Sequence, residues 1–379
     1  MVKVGGPEVE TGWMDAPASA HDCSARDYLE RLVAMAGSDL HLKAGGPAFV
    51  RVDGDLLALG DMAPVTAADS ERFAHELMRP DQRAELDAGG EIDFAHSVPG
   101  VGRFRVAVFR QRGSLGLVIR RVSASSPSFE QLGIPPAVRR LAEEHRGLVL
   151  VTGPTGSGKT TTTAAMIAHV NGTRRCHIVT VEDPIEVLHR DDLAIIDQRE
   201  VGVDTDTFTS ALRSVARQDP DVIFIGEMRD RETVGAALQA AETGHFVIST
   251  LHTTDATETI NRVVDMFPPH QQAQTRLSLA NSLRGIVSQR LLPSTDAGRV
   301  AAIEVLVMTS RLREFLLDPA KTGEIEDAIA GGDYYGMQTF DQHLLALLAE
   351  GRITLKDALD AATSPHDLRI GVRAAGVAT

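Results

Sequence analysis

The segment Leu148–Thr160 constrains this chain more than any other: the apolar run Leu148-Val149-Leu150-Val151 leads straight into Gly153-Pro154-Thr155-Gly156-Ser157-Gly158-Lys159-Thr160. That is G-x-x-x-x-G-K-[ST] in the strand–loop–helix setting the motif requires, with a helix expected to continue through Thr161 to Ala168. Each part has a physical reason. Glycines let backbone N–H groups turn inward around phosphate oxygens, where side chains would stand in the way. The helix that follows adds its positive N-terminal end. Lys159 reaches the outer phosphates and the Thr160 hydroxyl can ligate Mg²⁺. Average composition gives a chance match in a chain of this size on the order of 1 in 100, and the strand and helix around it reduce that further. Nucleotide binding is the reading.

The surroundings of this loop are those of a parallel sheet. The runs 147–151, 177–181, 222–226 and 246–251 are short, apolar and unbroken, as strands buried on both faces should be, and helical segments alternate with them. Ligands in such sheets sit beyond the C-terminal ends of strands, so acids emerging there are the candidates for preparing a water. Val222–Gly226 delivers Glu227, the candidate catalytic base. His177–Val181 delivers Glu182 and Asp183, with Pro184 ending the strand and Glu186 just behind. His245 and His252 bracket the run 246–251 and are read as lying at one sheet edge. No third ligand is near them for a metal, which leaves a structural role, a role in sensing the γ-phosphate or a coupling to the neighbouring domain.

With 379 residues, two domains are expected. Upstream of the nucleotide loop, a helix near 28–36, strands at 39–43, 49–52, 56–59, 103–109 and 115–121, and a helix opened by Thr66 describe a small α+β domain. Asp53-Gly54 marks one of its hairpin turns. The organisation expected is a disordered leader over 1–23, this domain over 24–122, a Ser-rich linker over 123–132, the ATPase core over 133–300, a helical region over 301–371 and a disordered tail over 372–379. Two cysteines, Cys23 and Cys176, are too few for a disulfide framework or a four-cysteine zinc site, and a cytoplasmic setting fits. No run reaches the roughly 18 apolar residues of a membrane span, so membrane association would be peripheral. A net charge of −14 and 4% aromatic content argue against nucleic acid as a partner. Against that acidic balance, Arg103, Arg105, Arg110, Arg112, Arg120 and Arg121 crowd one hairpin, Arg103 and Arg105 sharing a face opposite Phe104 and Val106. A charge-protected edge strand, a nucleic-acid contact and a set of arginine fingers for a neighbour's nucleotide are the three readings of that cluster.

Taken together, "SDLHLKAG", "VRVDGDL", "VGRFRVAVFRQRGSLGLVIRRV", "GPTGSGKT", "VTVEDPIE", "LRSVARQDPDVIFIGEMRD", "AAETGHFVISTLHTTDA" and "YYGMQTFDQHL" resemble the secretion-ATPase superfamily, in its pilus-retraction (PilT/PilU-type) branch. The resemblance runs from about Tyr28 to Ile370. It implies an α/β chain with a PAS-like N-terminal α+β domain, a RecA-like ATPase domain and a helical C-terminal region. It also implies a homohexamer with ATP and Mg²⁺ bound between subunits. By motif position Glu227 becomes the Walker B glutamate, Glu182, Asp183 and Glu186 the Asp-box acids, and His245 and His252 the His-box pair. Arg105, Arg112 and Arg120 become candidate fingers. The implied partners are an inner-membrane platform protein of the pilus and a second retraction ATPase. Where the branch has an Ala-Ile-Arg-Asn-Leu-Ile-type segment, this chain reads Arg311-Leu312-Arg313-Glu314-Phe315-Leu316, and "REVGVDTDTF" and "SPHDLRI" lean toward the accessory, PilU-like variant. Hydrolysis driving pilus retraction is the preferred expectation. An accessory or regulatory ATP-binding subunit and a plasmid-transfer ATPase are its rivals.

Overall fold

The computed structural model describes residues 23–52, 54–123, 126–296 and 298–376. Residues 1–22 of the expected leader (1–23), Asp53 of the first turn, 124–125 of the linker and 377–379 of the tail lie outside them. The described residues form two compact units that divide after Ser123.

The first unit is an antiparallel sheet of β1 (Asp39–Lys43), β2 (Phe49–Val52), β3 (Asp55–Ala58), β4 (Glu91–Val98), β5 (Gly102–Gln111) and β6 (Ser114–Arg121), in the order β3-β2-β1-β6-β5-β4. Helices Ala25–Ala34 and Ala67–Leu77 open on reciprocal capping boxes, Ser24 with Asp27 and Thr66 with Asp69, which satisfy amides that the first turn leaves free. Alternation along β5 buries Phe104, Val106 and Val108 and turns Arg105 outward. Those side chains meet Leu40, Leu117, Ile119 and Phe73, whose ring packs edge-on against Tyr28 at 5.1 Å.

The second unit is built on β7 (Gly147–Thr152), β8 (His177–Glu182), β9 (Ile195–Glu200), β10 (Val222–Ile225), β11 (Phe246–Leu251), β12 (Leu283–Pro293) and β13 (Arg299–Val307), ordered β13-β12-β7-β11-β10-β8-β9. Every neighbouring pair is parallel except β12–β13. Parity divides the core. Leu148 and Leu150 face the helices Arg231–Glu242, Ala256–Asp265 and Pro269–Ser282, while Val149 and Val151 face Pro136–Ala142 and Lys159–Thr173. Each such side chain contributes about 1.5–3 kcal/mol by leaving water, which is why the strands read as unbroken apolar runs.

Three expected boundaries fall elsewhere. The division put at 300/301 cuts through β13, which pairs with β12 from Gly285↔Val307 to Pro293↔Arg299. Its sequence, "RVAAIEVLV", carries a charge in mid-run, and that charge is buried: Glu304 is 5% exposed. Within the expected linker, Ser128 caps a short helix, Phe129–Leu132, that seats Phe129 in the core, because the Ser-rich stretch supplies a cap as readily as a flexible joint. The expected tail begins inside the helix Pro365–Ala374, where Val372 is buried against Phe340 and Leu344.

Burial pushes the Glu304 carboxyl from an ordinary 4.5 up to about 7, against the opposing pull of the Ala256 amide. A raised acid makes the folded state bind more protons than the unfolded one between those two values. Stability is therefore full below about 4.5 and falls as pH rises through about 7, by on the order of 3 kcal/mol from this group. Denaturant titrations at pH 5 and pH 8 should show that fall shrinking in Glu304→Gln, and an equal fall in both proteins would contradict it.

Candidate active site

Gly153 leaves β7 with φ +148°, and a Cβ there would stand 2.4 Å from Ser157 Oγ and 2.5 Å from the Gln289 carbonyl. Only glycine lets the chain turn so tightly against β12. Gly156 and Gly158 follow at φ +80° and +92°, and the helix Lys159–Thr173 begins directly after them. Its free first-turn amides and positive end face the loop. Pro154, Thr155 and Gly156 form the exposed crest, while the Ser157 side chain turns inward and is buried. Thr161 continues the helix, half-buried.

Lys159 is 9% exposed, and its Nζ donates to the carbonyls of Gly153 at 2.7 Å and Pro154 at 3.1 Å. Burial lowers its pKa, and Glu227 and Glu186 oppose that shift. Both carboxylates are thus near enough for their charge to be felt at the ammonium. The Thr160 hydroxyl donates to Glu186 Oε2, joining the phosphate loop to the segment after β8.

The acids at the strand ends differ in kind. Glu182, the last residue of β8, is buried, and that burial raises its pKa against hydrogen bonds from Thr180 Oγ1 (2.7 Å) and Gln198 Nε2 (3.1 Å). A cis Asp183–Pro184 bond turns the chain, and Glu200 accepts the Ile185 amide at 3.0 Å. Glu186 comes out toward Thr160, whereas Glu182 is committed to its own neighbours. Glu227 follows β10 and is held from two sides. Arg229 Nε donates to its Oε2 at 2.8 Å, and His252 Nε2 lies 3.5 Å from its Oε1. Arg229 also reaches Asp183 at 3.4 Å. A cavity of about 400 Å³ opens here, lined by Glu227, Arg229, His252, Glu258 and Arg262 among others.

The two histidines do not share an edge. His252 follows the C-terminal end of β11, while His245 precedes its N-terminal end, roughly 20 Å away along an extended strand. His245 Nδ1 lies 3.0 Å from the Ala240 carbonyl, and its own carbonyl accepts the Gly147 amide at 2.9 Å. That is a structural position, and grouping His245 with the nucleotide-binding residues is corrected on that ground. Arg229 escaped the sequence reading, although its spacing of two from Glu227 in "GEMRD" was a signal that both could turn to one side.

In the first unit, Arg120 stands opposite Asp39 on one side and Arg105 on the other, with Arg51 beyond Asp39. Arg120 Nε donates to Asp39 Oδ1 at 2.8 Å, which relieves the repulsion that two facing arginines would otherwise feel. The Arg105 side chain is exposed and has no hydrogen bond or ion pair among the described residues. Arg112 sits at φ +48° in the turn between β5 and β6.

A nucleotide loop, a guarded carboxylate and a mostly parallel sheet are common to many NTPases, and comparison with known proteins decides among them. Residues 88–359 match the type II/IV secretion system protein family. The chain belongs to that family. Within this secretion family it is similar to the type IV pilus retraction ATPase PilT of Pseudomonas aeruginosa, 44% identical over 330 residues that span 87% of this chain and 95% of that one. The type IV pilus ATPase PilU of the same organism is 40% identical over 91% of this chain and 90% of its own. The crystal structure of the pilus retraction motor PilT with bound ADP superposes with a TM-score of 0.83 at 45% identity, covering 90% of this chain and 98% of that one. This family member is a nucleotide-binding P-loop ATPase of the PilT type. Its fold is the α/β arrangement of the family. Among the described residues no helix is long and apolar enough to cross a membrane.

Proposed function

We propose that this chain is the subunit of a homohexameric motor whose ATP hydrolysis drives retraction of type IV pili. The likeness to PilT along almost the whole length of both chains is the observation that carries this reading.

The residues support a division of labour. The loop N–H groups of Thr155 to Thr160 cradle the phosphates, and Lys159, already beside the loop, supplies the positive charge to the outer ones. Glu227 orients and deprotonates the attacking water, kept in place by Arg229 and poised beside His252. Glu182 braces the turn that presents Asp183 and Glu186. The hard oxygens of Thr160 and Glu186, already in contact, are the donor chemistry that Mg²⁺ takes. Bound there, the ion would neutralise developing phosphate charge. Arg105, Arg112 and Arg120 serve as fingers toward a neighbouring subunit's nucleotide. Arg105 supports this best, its side chain being exposed and without a partner among the described residues.

The motor works in the cytoplasm, peripherally at the inner membrane, against a platform protein and alongside a second retraction ATPase. The similarity to PilU supports an accessory role as the second reading. Deleting the gene in its host distinguishes the two. Surface pili that persist without twitching are the expected result. Undiminished twitching would remove the primary role, and loss of DNA uptake into a plasmid recipient with normal pili would favour the transfer-ATPase class instead.

A further inference from the structure

A buried polar seam runs beneath the phosphate loop, and none of its members has a role in the site as described. It starts at Thr152, the last residue before Gly153. Thr152 Oγ1 donates to Ser288 Oγ on β12 at 3.0 Å, and Thr259 Oγ1 lies 3.5 Å from Thr152 Oγ1. Thr259 lies 2.6 Å from Thr253 Oγ1 and 2.6 Å from the Asp255 carbonyl. Glu304 stands opposite Ser288 across the β12–β13 pair. Its Oε1 accepts the Ala256 amide at 2.8 Å. Thr152, Ser288 and Thr259 are fully buried, and Thr253 and Glu304 are within 5% of being so.

This seam holds the segment 253–259, and that segment begins one residue after His252. Ala256 is the first residue of the helix Ala256–Asp265, so its amide is one of those the helix itself leaves unpaired. Burying a carboxylate costs several kcal/mol, and an apolar residue would fill a mid-strand position without that cost. A polar side chain at this place is explained by what it grips: its Oε1 accepts an amide at the positive end of a helix, which an apolar residue would leave unsatisfied. The charged groups acting on Glu304 are Asp255 from the loop, Glu326 from the helix Ile325–Ala330 and Arg290 from β12.

We propose that Glu304 is a positioning residue for hydrolysis, anchoring the start of the helix Ala256–Asp265 so that His252 is held against Glu227. The proposal rests on the reading of the chain as a hydrolysing ATPase. Without the anchor the loop 252–255 gains freedom, and His252 leaves its place 3.5 Å from the base. Lys159 and the phosphate loop keep their own contacts, so nucleotide affinity should be spared.

The test is a double-mutant cycle on phosphate release by the full-length protein, with affinity for a fluorescent ATP analogue measured alongside. Glu304→Ala should lower kcat about 10- to 100-fold with affinity changed less than about threefold, as expected when a reacting group is displaced by an ångström or so. Glu304→Gln keeps a carbonyl oxygen for the Ala256 amide and should recover most of the rate. In a His252→Ala background, Glu304→Ala should cost almost nothing further, since its effect passes through that ring. Losses that multiply in the double variant, or a kcat left unchanged by Glu304→Ala, would overturn the proposal while leaving the ATPase reading intact. Absence of turnover in the wild type would overturn both. If Glu304→Ala does not fold, Thr259→Val removes a second hold on the same segment and should show the same kcat loss and the same cycle; a cycle without coupling again overturns it.

Discussion

Glu227→Gln is expected to bind ATP within about threefold of the wild type and to release phosphate about 100- to 10,000-fold more slowly, the range that loss of a general base produces. The expectation follows from where the carboxylate stands. Glu227 leaves β10 at the end of the sheet where ligands gather, and its charge is felt at Lys159. The amide of Gln keeps the size and one acceptor oxygen, so Arg229 retains a partner and the loop keeps its shape. What disappears is the basicity needed to take a proton from water. Single-turnover phosphate release together with equilibrium binding separates the two quantities. A rate within about tenfold of wild type would move the role to another acid. Glu186, which already contacts Thr160, would then be the leading candidate, ahead of buried Glu182, whose Oε1 accepts from both Thr180 and Gln198.

Lys159→Ala should lose binding itself. A hydrogen bond to a charged group contributes about 1.5–3 kcal/mol, so removing the Lys159 ammonium from the outer phosphates should weaken ATP about 10- to 100-fold at least, and turnover with it. A second consequence is structural. The Lys159 ammonium donates to the Gly153 and Pro154 carbonyls, and alanine leaves both without that donor. The melting temperature without nucleotide should therefore fall slightly, and the rise on adding ADP should be smaller than in the wild type. Calorimetric titration with ADP and thermal melts with and without it read both effects. Unchanged ADP affinity would contradict the assignment of the loop.

Strands β7, β8, β10 and β11 were readable because burial on both faces leaves an apolar run with no periodicity to misjudge, and the phosphate loop because glycine spacing reports a backbone path directly. The capping boxes at Ser24 and Thr66 show local chemistry deciding where helices start. β12 and β13 escaped because Ser288, Gln289 and Glu304 interrupt them with polar groups whose partners lie far along the chain: Thr152 for Ser288, and the Ala256 amide for Glu304. No local pattern carries such information. His245 was misplaced for a related reason. The sequence gives the length of β11 but not that the two flanking rings end on opposite edges of the sheet, which follows only once the strand is extended and parallel to β7. Arg229 stood in plain view two residues from Glu227, and only the geometry makes it a partner of that acid.

Phosphate release by purified wild type and Lys159→Ala, with particle mass followed by light scattering in the same samples, tests the central claim most directly. The account expects ATP turnover by a particle of six copies, and loss of that turnover in the variant while the particle persists. A six-copy ring that releases no phosphate, or a variant that turns over as fast as the wild type, would contradict it.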